Sequence, residues 1–255
     1  MKRNEIALTL YTLRDFCQTE KDLLYTLNKI KKIGYSAIQV SSIGPINPKE
    51  IKKMCDDIGL NICATHEPNE DIINNTDLVI EKLNTLNCSY TALPYPKNMN
   101  FLDLNVLDKF IEDINIAGSI FSKANKVLCY HNHALEFQKI NQEIILERIY
   151  NNTDNKYIQG EPDVYWIQKG GHDPISWCKK LKNRLPLIHL KDFIMLNEHE
   201  SYYAEIGNGN LDIKNIIKEA ELSGCKWYIV EQDECQGDPF ISIETSFNNL
   251  LEFVT

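Results

Sequence analysis

The sequence predicts an α/β protein, a (β/α)8 TIM barrel, on the strength of three observations. Eight short apolar or β-branched segments recur along the 255 residues, and a longer stretch with helical spacing of apolar residues follows each of them. This alternation predicts parallel strands that are covered by helices. The first segment leads into "YTLRDF", which has no glycine, so the phosphate-binding turn typical of an open doubly wound sheet is absent. Eight units therefore favour a closed barrel.

The predicted strands are short, and most end in polar residues. They cover residues 6–10, 37–41, 61–65, 90–94, 126–131, 157–163, 187–192 and 226–232. Between them, "EKDLLYTLNKIKKIG" and "NPKEIKKMCDDIG" are typical amphipathic helices, which end at Gly34 and Gly59. The stretch "NEDIINNTDLVIEKLNTL" is predicted as one helix, and no obvious helix cap is expected at Asp163. No linker rich in Pro, Gly or Ser interrupts the pattern, so residues 1–255 are predicted to form a single TIM-barrel domain.

Composition and charge restrict the classes of partner. The chain has 27 Lys and Arg against 36 Asp and Glu, a net charge of -9, and its basic clusters are spaced like solvated helix faces. A nucleic acid partner is therefore not expected. No segment approaches the roughly 20 apolar residues of a membrane helix, so no membrane association is expected either. The eight cysteines form no CxxC pair and indicate small buried hydrophobes in a reducing compartment, which predicts a cytoplasmic location.

Polar side chains collect where the predicted strands end, which is the face on which barrel enzymes carry their active sites. Four of the six histidines are among them. Following the chain, these residues are Tyr11, Arg14, His66, Glu67, His131, His133, Glu136, Glu161, Asp163, His189, Lys191, Glu231, Asp233 and Glu234.

A set of Glu, Asp, His and Glu, one from each of strands five to eight, would converge on one point above the barrel. Such a set suits Mn²⁺, Mg²⁺ or Co²⁺, and Zn²⁺ as an alternative. A cation there could hold two neighbouring sugar oxygens and stabilise an enediolate while a proton is removed. The neighbouring carboxylates would then act as acid and base.

Structural roles are alternatives for several of these residues. His66 could be a loop histidine bonded to the backbone, and Glu161 could be structural. One of His131 and His133 could support a ligand without being one. Lys191 and Asp192 could form a surface pair. The "GNGN" stretch at 207–210 is interpreted as a turn before a helix.

Six segments in order resemble the sugar phosphate isomerase/epimerase family, the xylose isomerase-like TIM barrels that also include inosose dehydratases and ketose 3-epimerases. They are "YHNHALEF", "EPDVYW", "GGHDPISW", "LIHLKDF", "AEIGNGNLD" and "WYIVEQDE". The related nuclease branch needs further histidines near strands six and seven, and here Trp166 stands three residues after Asp163, which argues against that branch.

The resemblance implies a divalent metal held by Glu136, Asp163, His189 and Glu231, with Glu136 and Glu231 as the catalytic acid and base. It also implies that His66, His133 and Lys191 contact substrate hydroxyls or a developing oxyanion. Many relatives place the first metal glutamate on strand five itself, where this chain has His131. Either Glu136 folds back to the metal, or His131 ligates it and Glu136 has another role.

The expected function is a metal-dependent sugar isomerase or epimerase, with Mn²⁺ as the first choice of cofactor. Alternatives are an inosose-type dehydratase acting on a keto-polyol and a catalytically silent sugar-binding barrel. The expected partner is a small sugar or polyol, which His131, Trp166 and Tyr11 would help to bind. A homodimer and a homotetramer are the candidate assemblies.

Overall fold

A computed structural model of the chain describes residues 1–95, 97 and 99–254. All eight predicted barrel strands are present, most of them shorter than predicted by one to three residues. They are β1 Ile6–Thr9, β2 Ala37–Val40, β3 Asn61–His66, β4 Tyr90–Leu93, β5 Val127–His131, β6 Ile158–Glu161, β7 Leu187–Leu190 and β8 Trp227–Val230. The (β/α)8 barrel predicted from the sequence is thereby confirmed.

The eight strands are parallel and form one sheet in the order β6-β5-β4-β3-β2-β1-β8-β7. The sheet closes between β6 and β7 just beyond the end of β6. There the amide of His189 donates to the carbonyl of Pro162 at 2.9 Å, and Asp163 forms an isolated bridge with His189. Two predicted site residues therefore form the bridge that closes the barrel.

Helices cover the outside of the barrel. They are α1 Glu20–Ile33, α2 Pro48–Ile58, α3 Asn69–Asn74, α4 Thr76–Thr85, α5 Leu104–Lys123, α6 Ile145–Asn151, α7 Val164–Lys169, α8 Pro174–Lys180, α9 Ile213–Leu222 and α10 Pro239–Leu251. The expectation of one helix over 69–86 is wrong, because the chain breaks at Asn75 between α3 and α4. The expectation that Asp163 has no part in a helix cap is also wrong, since its side chain caps α7 by accepting from the amide of Trp166.

Small side chains fill the inside of the barrel. Alanines and cysteines such as Ala7, Ala64, Cys63 and Cys129 pack there against Ile229, which leaves room for polar groups above them. The cysteines behave as predicted, because all eight are free and seven are buried. Along the part of the chain that is described, none of the helices has the length and apolar character required to cross a bilayer.

Two β-hairpins that the sequence did not predict lie outside the barrel sheet. One pairs Lys139–Ile140 with Glu143–Ile144, and the other pairs Asp192–Met195 with Ser201–Ala204. The second follows directly after β7. Its first residue, Asp192, is fully buried, and its carboxylate accepts from the backbone amides of Gly207, Gly209 and Leu211. A Cβ on Gly209 would lie 2.2 Å from the Asp192 carboxylate, so the "GNGN" turn fits around this side chain only with glycine there.

We expect Asp192→Asn to lower the free energy of unfolding by about 2 kcal/mol, because the amide cannot accept from the donors on both sides. The measurement is urea denaturation of the wild type, this variant and Asp57→Asn, an exposed control in α2. Equal stability of the two variants would contradict the role of Asp192.

Candidate metal centre and substrate cavity

Four buried side chains converge at the carboxyl-terminal mouth of the barrel. His131 ends β5, Asp163 follows β6, His189 lies on β7 and Glu231 follows β8. One ligand-type atom from each side chain lies within 4.8 Å of those from the other three. Parallel strands of a closed barrel all end on the same face, which is why residues so far apart in sequence meet here.

The position of His189 is fixed on both sides of its ring. Its Nδ1 lies 3.0 Å from Glu231 Oε2, and its Nε2 lies 2.9 Å from Gln39 Oε1. Gln39, on β2, in turn donates to Glu161 Oε1 at 2.7 Å. When Nε2 donates to Gln39, Nδ1 faces the carboxylates, which is how an outer hydrogen bond orients a metal-ligating histidine.

Lys191 supplies the central positive charge. Its Nζ lies 3.0 Å from Asp163 Oδ2, 2.7 Å from Glu231 Oε2 and 2.8 Å from Asp233 Oδ1, and the residue is 1% exposed. Burial alone would lower the pKa of Lys191, but the three carboxylates outweigh it and raise the pKa well above the usual value. The alternative of a surface pair between Lys191 and Asp192 is therefore wrong.

The protonation states follow from the same charges. Burial opposes ionisation of Asp163 and Glu231, yet Lys191 keeps the pKa of both carboxyls below the usual values. Burial would lower the pKa of His189, but Glu161 and Glu231 raise it to about 10. Burial, followed by the nearby His189, lowers the pKa of His131, so its ring is neutral and has a free lone pair.

The donor set fits a divalent cation. Both ring nitrogens of His131 are buried and have no hydrogen-bond partner among the described residues, so the cluster contains an unused acceptor beside the Asp163 carboxylate. The carboxylates of Glu161, Asp163, Glu231 and Asp233 outnumber the two cations, Lys191 and protonated His189. A divalent ion would balance the remaining negative charge, and on binding it would displace the proton of His189.

The structure does not bring Glu136 to this cluster. Glu136 is fully buried in a short 3-10 helix, where Oε1 accepts from the Tyr130 hydroxyl at 2.9 Å and Oε2 accepts from the His133 amide at 3.1 Å. Burial raises the pKa of Glu136 to about 7. At the position where the sequence left two choices, His131 stands in the cluster and Glu136 supports the strand-five loop.

A cavity of about 310 Å³ opens above the cluster. His66, His133, Trp166, Lys191, Glu231 and Tyr11 line it, together with Tyr95 and Asp233. The expected substrate-binding residues therefore do border one cavity. Within the described part of the chain, His133 Nδ1 and Trp166 Nε1 are buried and have no hydrogen-bond partner, which leaves both atoms available to a bound molecule.

Glu161 has a larger part in the site than the sequence indicated. It is fully buried and bonds His66 Nε2 at 2.6 Å through Oε2, while Gln39 donates to its Oε1. Burial opposes its ionisation, but His189 and His66 lower the pKa of the Glu161 carboxyl. Sequence reasoning missed Gln39 entirely, although a glutamine in the otherwise apolar strand "AIQV" was a usable signal.

The sequence matches the family described as xylose isomerase-like TIM barrel over residues 27–246. Together with the closed barrel and the polar cluster at its mouth, this match shows that the chain belongs to that family.

Individual relatives share only a low sequence identity with this chain. An inosose dehydratase of Geobacillus thermodenitrificans is 25% identical over 150 residues, which cover 52% of this chain and 50% of the relative, so the match spans about half the length of that enzyme. The crystal structure of a sugar phosphate isomerase/epimerase from Parabacteroides distasonis is 27% identical, with a TM-score of 0.81 and coverage of 100% of this chain and 96% of the other. A xylose isomerase-like TIM barrel protein of Mycobacterium smegmatis, solved in complex with magnesium, shares the fold at 11% identity, a TM-score of 0.78 and coverage of 99% and 98%.

Replacing Lys191 tests the charge balance of the cluster. We expect Lys191→Met to lower the free energy of unfolding by about 3 kcal/mol in chelator, because three carboxylates then face one another without their cation. Added Mn²⁺ should restore more stability to this variant than it adds to the wild type. Thermal denaturation with and without Mn²⁺ measures both effects, and Lys214→Met, on the exposed face of α9, is the control. A variant as stable as the wild type in chelator would contradict this account.

Replacing Glu136 tests its separation from the cluster. Folded Glu136 keeps its proton up to about pH 7, whereas an unfolded glutamate loses it near 4.5. The wild type should therefore lose about 3 kcal/mol of stability as the pH rises between these values, and Glu136→Gln should not show this loss. Urea denaturation at pH 5 and pH 8 measures the difference, with the exposed Glu244→Gln as control. Weaker Mn²⁺ binding by Glu136→Gln would show that Glu136 does reach the metal.

Proposed function

We propose that this chain is an enzyme that removes a proton from the carbon next to the carbonyl group of a small keto-sugar or keto-polyol and then expels water. The observation that carries the proposal is the buried His131, Asp163, His189 and Glu231 cluster, which opens into a cavity containing both a candidate base and a candidate acid. The coarser class, an isomerase, epimerase or dehydratase of sugars, agrees with the family and with the relatives above.

A divalent cation would be held by the same four side chains. Two imidazoles and two carboxylates suit Mn²⁺ or Co²⁺, and also Zn²⁺, better than Mg²⁺, which prefers oxygen ligands. When bound, the cation would supply positive charge that draws electron density from the substrate oxygens and so acidifies the neighbouring carbon.

Glu231 is the proposed base. It lines the cavity, and His189 and Lys191 both contact its Oε2, which leaves Oε1 without a partner among the described residues. Because Lys191 keeps the pKa of this carboxyl low, Glu231 is ionised and able to accept a proton at neutral pH. Lys191 would also stabilise the negative charge that develops on a substrate oxygen nearby.

His66 is the proposed acid. Its Nε2 is bonded to Glu161, a buried carboxylate that orients the ring. The second nitrogen, Nδ1, lies 3.4 Å from Ser41 Oγ beside the cavity and is placed to give its proton to a leaving hydroxyl group.

The position of Glu136 favours dehydration over epimerisation. Epimerisation by two glutamates needs both carboxylates at the substrate, and Glu136 is enclosed by Tyr130 and the His133 amide instead. Elimination needs one base and one acid, which Glu231 and His66 provide. The curated relatives named inosose dehydratase support this choice. Isomerisation or epimerisation is the second candidate, favoured by the Parabacteroides distasonis structure of that name.

A panel of ketohexoses and keto-inositols in deuterated buffer with Mn²⁺ tests the proposal by mass spectrometry. We expect loss of one water from at least one panel member, and Glu231→Gln should abolish both water loss and deuterium uptake. His66→Gln should slow water loss at least about 100-fold and still allow deuterium uptake, because the base is intact. Tyr25→Phe, far from the cavity on α1, is the control.

Deuterium uptake by the wild type without water loss would instead indicate the isomerase or epimerase. Binding of a sugar with neither outcome would indicate a silent sugar-binding barrel. Full activity of Glu231→Gln would refute its role as base.

A further inference from the structure

A second and larger cavity adjoins the reaction cavity. Its volume is about 720 Å³, against about 310 Å³ for the cavity above the cluster. Ser41, Ser42, His66 and Pro94 line both, so the two are neighbours across a shared wall. Ligand cavities of roughly 300 to 1,000 Å³ are usual, and the smaller cavity lies at the lower end of that range.

The second cavity combines an apolar surface with one unsatisfied carboxylate oxygen. Ile43, Pro45 and Ile46 form part of its wall. Glu67, which is 6% exposed, accepts from Lys82 Nζ at 2.8 Å through Oε2, while its Oε1 is buried and has no hydrogen-bond partner among the described residues. A buried acceptor without a partner is unfavourable in a folded protein, so a donor from a bound molecule would complete it.

The wall between β2 and α2 is held in one conformation. Ser42 has a φ of +54°, which is uncommon for a residue other than glycine. Gly44 lies so close to the backbone of Gln18 that a Cβ would be 2.0 Å from the Gln18 carbonyl oxygen, and its amide donates to Cys17. The cavity is therefore preformed, which lowers the cost of binding.

The charges lining the two cavities disfavour a phosphate group. Lys82 and Lys191 are the Lys or Arg side chains among the described lining residues, and both are already paired with carboxylates. Asp71 and Glu67 add negative charge to the second cavity. A site that recognises phosphate through its side chains needs unpaired cations, such as an arginine fork.

On the basis of the proposed function, we infer that the substrate is an unphosphorylated compound of two joined rings. The keto ring lies above the cluster, and the second ring, which carries hydroxyl groups, occupies the larger cavity. There it packs against Ile43 and Ile46, and one hydroxyl donates to Glu67 Oε1. Glu67 is in this role a specificity residue, because it touches the substrate away from the reacting atoms.

Calorimetric titration with unreactive probes tests the inference without turnover. Glucose and myo-inositol are the one-ring probes, and cellobiose and phenyl β-glucoside are the two-ring probes. We expect the wild type to bind at least one two-ring probe about tenfold more tightly than glucose. Glucose 6-phosphate should bind no more tightly than glucose.

Three variants test whether the second cavity causes the tighter binding of the two-ring probes. Glu67→Leu removes the acceptor and should cost about tenfold in cellobiose affinity without changing glucose affinity. Lys82→Met breaks the same ion pair but keeps the carboxylate, and its cellobiose affinity should stay within about threefold of the wild type. Ile46→Trp fills the cavity and should bring cellobiose down to the affinity of glucose. Circular dichroism and thermal melting show whether each variant is folded.

The second subsite would be refuted if one-ring and two-ring probes bound equally well, or if Glu67→Leu and Lys82→Met weakened cellobiose binding to the same extent. Water loss from a ketohexose in that case would leave the proposed function standing. Tighter binding of glucose 6-phosphate would overturn the exclusion of phosphate. If no probe bound and no panel compound exchanged deuterium, the proposed function and this inference would fail together.

Discussion

The structure depends on how it accommodates buried charge at the mouth of the barrel. Asp163, Glu231 and Asp233 lie around Lys191, and Glu161 lies between His66 and Gln39. Removing an ion from water costs several kcal/mol, so these groups can be buried only because each has partners at hydrogen-bonding distance. The same contacts also connect strands, since Gln39 joins β2 to β6 and β7, and the Asp163–His189 bridge closes the barrel.

The charged side chains of the site would be balanced by one further positive group. The ring of His131 has no hydrogen-bond partner among the residues that the structure describes, and the carboxylates around it exceed the cations. This network lacks only a positive group at its centre. It is well suited to a cation, because the ligands are already ordered by their outer contacts. Lys191 would act in two ways. It holds the carboxylates together when no other cation is bound, and it would face the substrate once such a cation is bound.

The proposed base, Glu231, and the proposed specificity residue, Glu67, lie on different walls of the same mouth. The ends of β5 to β8 carry the cluster, whereas the segments after β2 and β3 carry Ser41, Ser42, His66 and Glu67. His66 borders both cavities and is held by Glu161, so the candidate acid lies where the two rings of the inferred substrate would join. This division agrees with the way barrel enzymes change substrates, by altering loops while the strand ends keep the chemistry.

The sequence by itself determined the barrel, the eight strands and the face on which the polar residues collect. Those features depend on periodicity and on chain direction, which are local properties. The resemblance of its motifs to the xylose isomerase-like family also brought Asp163, His189 and Glu231 forward as partners. Only the tertiary structure decided between His131 and Glu136. A strand fixes the direction of its last side chain, but the loop after it turned Glu136 towards Tyr130. The partners of Gln39, the buried position of Lys191 and the second cavity were likewise decided by contacts between residues distant in the chain, which no local pattern of residues specifies.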